Sequence, residues 1–546
     1  MTYKDLAELL FPDVTKTIED LEKMYPERNL PDGAEVTRFA PSPTGRLHMG
    51  GLYATFVPEV IANQTNGVFI LRIEDTDQVR AIENGTELII QDLEAYGYKI
   101  DEDPIKGGNY GPYIQTERKE IYHIVAKYLV SVGKAYPCFC SEEDLDEMRK
   151  HQESGKERIG YYGRYTRCRD LSYEEVKKHI DNGDKWVLRL KSMGNFDKKI
   201  VFKDLVKGRI ELPENDIDQV IIKSDGIPPY AFAHVCDDHF MRVTTVTRDD
   251  SYISSVPYHL ELWDACGFKA PKFAHFLPIN IKDGNTIRKI SKRKDPEAAV
   301  AFYTERGLPN EVVKLYFATL MNTNFEGWLL QNPDKSYRNF TFSFDKMSKS
   351  GALFDLEKLL NISKNYIGYL KAEEVYDNVL DWSKTYDKEF YELLNKYKDY
   401  SIGIFSIERY QKKPRKDYES WSSIKKHIWY MYDELYNDIT YDWGTIQDKE
   451  EIKKILELYL SKYYNEVDDK DTWFNKIKEL CDELGYASNM KDYKENPDNY
   501  KGSVADVSTV IRVSLTSSSM TPDLYEIMKL FGKDRILKRL NKIIEE

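Results

Sequence analysis

Apolar positions change their spacing several times along the chain, and each change predicts a different element. Residues 1–33 are polar with scattered apolar positions and end in the loop NLPDGAE, which reads as a helical N-terminal extension. VTRFA (36–40) is a short apolar run of strand length, followed by the loop PSPTGRLHMGG (41–51) and a helical stretch from Leu52 to about Gln64. Asn66-Gly67 breaks that helix, VFILRI (68–73) predicts a second buried strand, and 83–97 predicts another helix. Strand–helix–strand–helix is the pattern of a doubly wound α/β sheet.

A Gly/Pro/Asp-rich loop at 101–113 then interrupts the pattern. Residues 114–222 predict a mixed insertion, with helices near 117–133 and 142–153 and strands near 186–190 and 219–222. The α/β texture returns with VTTVTR (243–248), a helix near 257–266 and the strand HFLPINI (275–281). Asp283-Gly284-Asn285 turns the chain into a basic loop. From about 295 onward amphipathic helical runs such as SIKKHIWYMYDELYND and EIKKILELYLSKYY follow one another with short breaks. The expected architecture is a nucleotide-type α/β fold carrying an insertion, followed by an all-α half.

Composition narrows the class. At 546 residues the chain has room for about three to five domains. Its 41% hydrophobic and 31% charged residues exclude wholesale disorder and collagen-like repeats. The net charge of −13 argues against a protein that coats nucleic acid indiscriminately, yet local basic runs exist. Arg288 to Lys294 carries five cations in seven residues, and Arg409 to Lys416 five in eight. No apolar run approaches the roughly 18 residues of a membrane span. The first residues, MTYKDLAELLFPDVTK, have acids where a secretory signal is apolar. Six cysteines are too few for a disulfide scaffold of this length. A soluble, cytoplasmic protein with reduced thiols and no membrane partner is expected.

Three segments carry chemistry. In APSPTGRLHMGG (40–51), a stiff proline-rich loop delivers His48 to a helix start beside Gly50 and Gly51. Glycines there admit a flat base or a phosphate to the backbone, and the helix N-terminus supplies N–H groups and a positive dipole end. RIEDTD (72–77) closes a strand, where Arg72, Glu74, Asp75 and Asp77 suit an ammonium or a ribose. Lys289-Ile290-Ser291-Lys292-Arg293 lies just after the last α/β strand, and cations there suit a polyphosphate that gains charge in a transition state. Each segment alone also has an ordinary reading: a proline-rich turn, a solvated acidic turn, a solvated basic face.

Together and in this order they resemble the class I aminoacyl-tRNA synthetases, specifically the bacterial-type glutamate–tRNA ligases. RFAPSPTGRLHMGG resembles the family's first signature, with His48-Met49-Gly50-Gly51 standing for His-x-Gly-His. RIEDTD, SDGIPPYAFAHVCDDH (224–239), KISKR and the C-terminal RVSLTSSSMTPDLYEIMKLFGKDRILKRL (512–540) resemble further segments. The likeness runs from about Val36 to the C-terminus, so the extension at 1–33 precedes it and is longer than is usual in the family. The resemblance implies a Rossmann-type catalytic domain at 34–113 and 223–285, and an acceptor-end-binding insertion at 114–222. It implies a signature-loop and stem-contact linker at 286–360 and a helical anticodon-binding domain at 361–546. It implies ligation of L-glutamate to tRNA(Glu) through glutamyl-adenylate, with ATP and Mg²⁺, and a monomer. His48, Lys289 and Lys292 would be catalytic, and Gly50, Gly51, Ser291 and Arg293 would join them in binding ATP. Arg38, Ala40, Ser42, Glu74, Tyr230 and Arg248 would bind glutamate, an arginine being able to pair with its side-chain carboxylate. Basic runs such as 288–294 and 409–416 would meet tRNA phosphates.

Three features complicate this picture. The literal string Lys346-Met347-Ser348-Lys349-Ser350 also occurs, but in the helical half and without an α/β strand to deliver it, so 289–293 is the expected signature. The family usually has a glycine where Asp249 stands, an acid where Ser251 stands, and more often an amide where His234 stands. These departures keep a catalytically impaired tRNA-binding or regulatory paralogue as the alternative. Cys138, Cys140 and Cys168 fall in the insertion, where some relatives hold zinc. Zinc, with His151, Tyr161 or Tyr165 as fourth ligand, is one reading, and reduced, partly buried thiols are the other.

Overall fold

The structure is a computed structural model and describes residues 2–77, 81–291, 293–348 and 352–545. The chain forms two compact units, Met1–Phe302 with Val313–Asp355, and Tyr303–Val312 with Leu356–Glu546. Residues 286–360, expected as a linker, are therefore shared between the two.

In the first unit β1 (Val36–Phe39) and β2 (Val68–Leu71) pair in parallel, with helix Met49–Gln64 as the crossover. The insertion supplies β3 (Ala135–Cys138), β4 (Val187–Leu190), β5 (Lys199–Asp204), β6 (Gly208–Pro213) and β7 (Val220–Ile222). Of these, β3, β4 and β7 form an antiparallel sheet and β5 with β6 a hairpin. Next come β8 (Thr245–Asp249) and β9 (Lys272–Phe276), parallel, with helix Val256–Cys266 between them. A second hairpin, β10 (Ile279–Asp283) and β11 (Thr286–Lys289), pairs with β12 (Ala352–Leu353).

The two parallel pairs meet where the Thr244 N–H donates to Val36 O (2.9 Å), which sets β1 beside β8. From that junction β1 leads away to β2 on one side, and β8 to β9 on the other. The carboxyl ends of β1 and β8 thus diverge at a topological switch point, where open α/β sheets form a crevice. Both strands are buried along most of their length, and beside Val36 and Val246 they carry the polar side chains of Thr37, Arg38, Thr245, Thr247 and Arg248 inward.

The sequence pattern and the structure differ at four places. HFLPINI is two strands, because Pro278 has no N–H to continue the ladder; β9 stays in the parallel sheet and β10 leaves it. The basic stretch begins as strand β11, turned back by Gly284 at φ +60°. The β5–β6 hairpin is absent from the sequence reading because β5 is charged at both ends, β6 carries Arg209 and Glu211, and only Asp204 is buried along β5. The extension is helical, as its pattern predicts, but it packs into the core and is not merely polar. It forms helices Tyr3–Leu10 and Ile18–Met24, each opened by a capping box, Thr2/Asp5 and Thr17/Asp20. Ala7, Leu10, Phe11, Leu21 and Tyr25 are buried in one core with Ile121, Val125 and Phe240. Arg28 then pairs bidentately with Glu102 (2.7 and 2.8 Å).

The second unit is helical around a core that includes Trp421, Ile455, Tyr459, Ile511 and Leu540. Its last helix, Leu524–Glu545, kinks at Gly532 (φ +71°). Arg409, first cation of the 409–416 run, is buried and donates to Ile367 O (2.7 Å) and Leu370 O (2.9 Å) at the end of helix Leu356–Tyr369. It is a helix cap and is not available to phosphate, and Arg415 of the same run is paired with Glu408 and Asp417.

Candidate active site

The switch point opens into a crevice of about 600 Å³. It is lined by Arg38, Ala40, Ser42, His48, Gly50, Gly51, Glu74, Tyr230, Arg248 and Lys289, and also by Asp77, Thr247, Asp249 and Tyr252. Ser291 and Arg293 lie outside its lining: the Ser291 N–H donates to Asp295 Oδ2 (2.7 Å) in the turn beyond. Lys292 lies outside the described residues. Of the alternative string, exposed Lys346 and half-buried Ser348 do not line the crevice, and Lys349 and Ser350 lie outside the described residues.

His48 is the N-cap of helix Met49–Gln64, and its Nδ1 accepts the Gly51 N–H at 2.9 Å. With Nδ1 an acceptor, the ring proton sits on Nε2. A Cβ at Gly50 would come within 2.9 Å of His48 Cε1, so glycine is what lets the ring lie over the helix start. The helix end leaves backbone N–H groups for an anion.

Below this lies a buried ionic cluster. Arg38 from β1 donates Nε–H to Asp238 (3.1 Å), and Arg72 just past β2 donates to the same carboxylate at 2.7 Å and to Glu74 at 2.9 Å. The sequence reading offered Arg72 and Asp75 to a ligand. Instead Arg72 is wholly buried within the protein, and Asp75 accepts from Thr116 (2.9 and 2.6 Å). Burial works to raise Asp238, but Arg38, His234 and Arg72 outweigh it and hold the carboxyl well below its usual range. Burial prevails at Glu74 and pushes it up despite Arg72 and Arg38. Asp237 pairs with Arg72 at 3.6 Å and takes Arg118 at 2.5 Å. The signal for this cluster was present: Asp237 and Asp238 are consecutive acids inside the apolar helix Tyr230–Phe240, and such acids need buried cations.

Arg248, at the end of β8, is different. It is 7% exposed, and no carboxylate of the described residues forms an ion pair with it. Its Nε–H donates to His275 Nε2 (3.0 Å), and its other nitrogens lie 3.1 Å from His259 Nδ1 and 3.5 Å from Tyr230 Oη. Burial lowers both histidines, His259 well below 6.5, so these partners are neutral. Burial also pushes Tyr230 up to about 12. A buried guanidinium among neutral partners is a receptor for an anion.

In the insertion, the Sγ atoms of Cys138, Cys140 and Cys168 lie within 4.8 Å of one another. Of the three proposed fourth ligands, Tyr161 is with them: its Oη lies 3.5 Å from both Cys138 and Cys140. His151 is bonded instead to Tyr165 (2.9 Å). Cys140 and Cys168 are 3.7 Å apart, close to the ~3.8 Å edge of a tetrahedron with metal–sulfur bonds of about 2.3 Å. The donor set fits a four-coordinate metal.

A class I nucleotide-binding core with an anion receptor in its crevice defines a class of protein, and the comparisons agree. Residues 35–361 match the model of the tRNA synthetases class I (E and Q), catalytic domain, and residues 389–544 that of an anticodon binding domain. The curated "Glutamate--tRNA ligase" of Acetivibrio thermocellus is 47% identical over 548 residues, covering 100% of both chains. That of Clostridium perfringens (strain SM101) is 44% identical over 553 residues, again with 100% of each covered. A crystal structure of a glutamate tRNA ligase from Elizabethkingia meningosepticum, in complex with its amino acid, superposes with a TM-score of 0.72 at 26% identity. That match covers 94% of this chain and 99% of the other. The chain belongs to the glutamate–tRNA ligases of the class I tRNA synthetases. No helix among the described residues is long and apolar enough to cross a membrane.

Proposed function

We propose that the protein joins L-glutamate to tRNA(Glu) at the expense of ATP. The observation that carries this is Arg248, a buried cation open to the crevice with no acid of its own. The glutamate side-chain carboxylate supplies the missing partner. A neutral amide in its place leaves the guanidinium without a counter-charge, which selects glutamate over glutamine. Glu74, Tyr230, Ala40 and Ser42 line the same crevice.

An α-carboxylate oxygen of glutamate attacks the α-phosphorus of ATP, and the bond to pyrophosphate breaks. A terminal ribose hydroxyl of the tRNA then attacks the acyl carbon and releases AMP. Neither step requires a protein nucleophile, so positioning and charge stabilisation carry the rate. His48, Gly50 and the helix start hold the phosphates. Lys289, with Lys292, neutralises the departing pyrophosphate, and Mg²⁺ accompanies ATP. Cys138, Cys140, Cys168 and Tyr161 would hold zinc in a structural role, tying two segments of the acceptor-end insertion. The helical unit is the anticodon reader. Departures at Asp249 and Ser251 do not favour an impaired paralogue, because full-length relatives at 42–47% identity are glutamate–tRNA ligases.

The test is ATP–pyrophosphate exchange with glutamate, with and without tRNA, and with glutamine as control. Exchange that requires glutamate and ignores glutamine is expected. A folded protein that binds tRNA yet exchanges nothing under any of these conditions overturns the reading.

A further inference from the structure

Arg38 and Arg72 rest directly on Asp238, whereas Arg248 reaches an acid only through a histidine. Asp204 Oδ2 lies 2.7 Å from His275 Nδ1, and His275 Nε2 accepts from Arg248 Nε at 3.0 Å. Asp204 and His275 are 1% and 0% exposed. The carboxylate draws the ring proton to Nδ1, which leaves Nε2 with a lone pair toward Arg248. If the proton sat on Nε2, two donors would face each other and the guanidinium would have to turn.

We propose that Asp204 and His275 are positioning residues that aim Arg248 at the substrate carboxylate while keeping its charge unquenched. A carboxylate in direct contact would aim the fork equally well but would neutralise it, as Asp238 does for its two arginines. The imidazole spacer separates the two tasks. It fixes Nε. Each terminal nitrogen spends one N–H toward His259 or Tyr230 and keeps its second N–H for the ligand.

Asp204 comes from the insertion, at the point where its strand joins the sheet beside β9. It ends β5 in the insertion, and its Oδ1 also accepts from Val206 and Lys207 (2.9 and 2.8 Å), which fixes the hairpin turn. Lys207 in turn binds Asp250 (3.0 Å), next in the chain to Asp249 of the crevice lining. The hairpin is therefore attached to the amino-acid pocket at two points, and the aim of Arg248 depends on its seating.

The inference rests on the proposed activity, so wild-type exchange and glutamate binding by calorimetry come first. Wild type that binds no glutamate overturns both. With wild type active, Asp204→Ala and His275→Phe are expected to raise the KM for glutamate at least tenfold. They should lower the glutamate-to-glutamine preference by a similar factor and leave the KM for ATP within about twofold. Asp204→Asn still offers an oxygen to Nδ1–H and should recover most of the preference. A merely structural role would instead lower the melting temperature and move both KM values together, with the preference unchanged. An unchanged preference in a folded Asp204→Ala or His275→Phe variant overturns the proposal; should either fail to fold, Asp204→Asn together with the other decides.

Discussion

Lys289 Nζ lies 2.5 Å from Asp249 Oδ2, so the first lysine of KISKR is anchored to the end of β8. The lysine keeps more than half of its side-chain surface open to solvent. Lys289 is the main force keeping the Asp249 carboxyl below its usual range, although burial opposes it. To reach a polyphosphate, Lys289 has to leave this partner, and the carboxylate left behind repels the incoming phosphates. Asp249→Gly, the residue usual in the family, should therefore lower the KM for ATP several-fold with little change in kcat. Lys289→Ala should lower kcat by about 10²-fold, the size of losing one charge-stabilising donor. Exchange kinetics at varied ATP check both. A KM for ATP that rises in Asp249→Gly would mean that the pair positions Lys289 for the reaction.

How far the sequence carries this site depends on where each residue stands. His48, Glu74, Tyr230, Arg248 and Lys289 sit in motifs whose local pattern announces a loop at a strand end, and all five line one crevice. Asp204, His275 and His259 do not. His275 and His259 lie within elements that read as an ordinary strand and helix, Asp204 within a strand that the pattern does not announce, and each acquires meaning only from a neighbour on another element. The fold behaves in the same way. β2 is a continuous apolar run, and β1 and β8 open on β-branched residues, so all three are legible alone, whereas the β5–β6 hairpin depends on pairing with β9 at Asp204 and Phe273. Burial of the N-terminal helices under the core that holds Phe240 is likewise a long-range event, which a helical period predicts only as an amphipathic face.

The cysteine cluster separates its two readings through metal content. Tyr161 Oη accepts or donates at 3.5 Å to two of the thiols, close to the ~3.5 Å expected between oxygen and sulfur on one tetrahedral zinc. Protein prepared with zinc in the medium should contain one equivalent by elemental analysis, and the three thiols should resist a thiol reagent until a chelator is added. Cys140→Ser should lose most of the metal. Tyr161→Phe should weaken binding about 10- to 100-fold, the cost of disturbing a metal's immediate surroundings. Metal-free protein whose three thiols react at once would establish the reduced-thiol reading.

The buried histidines set the acid limit of the fold. His234 is wholly buried, its Nδ1 lies 2.6 Å from Asp238, and burial lowers it from 6.5 to about 4 in spite of that carboxylate. In the unfolded chain it takes up its proton near 6.5, whereas in the folded protein it waits until about 4. Between these values the unfolded state binds more protons, so stability is fully present above 6.5 and falls as pH drops toward 4. From pH 7 to pH 5 this one group should cost about 2 kcal/mol. His234→Asn keeps a donor for Asp238 and cannot titrate. Urea denaturation of the unit that carries the site should therefore show a shallower loss between pH 7 and 5 in the variant, by about 2 kcal/mol. His259 and His275, also lowered by burial, leave the variant with a remaining slope of the same sign. Identical slopes in variant and wild type would place the acid sensitivity elsewhere.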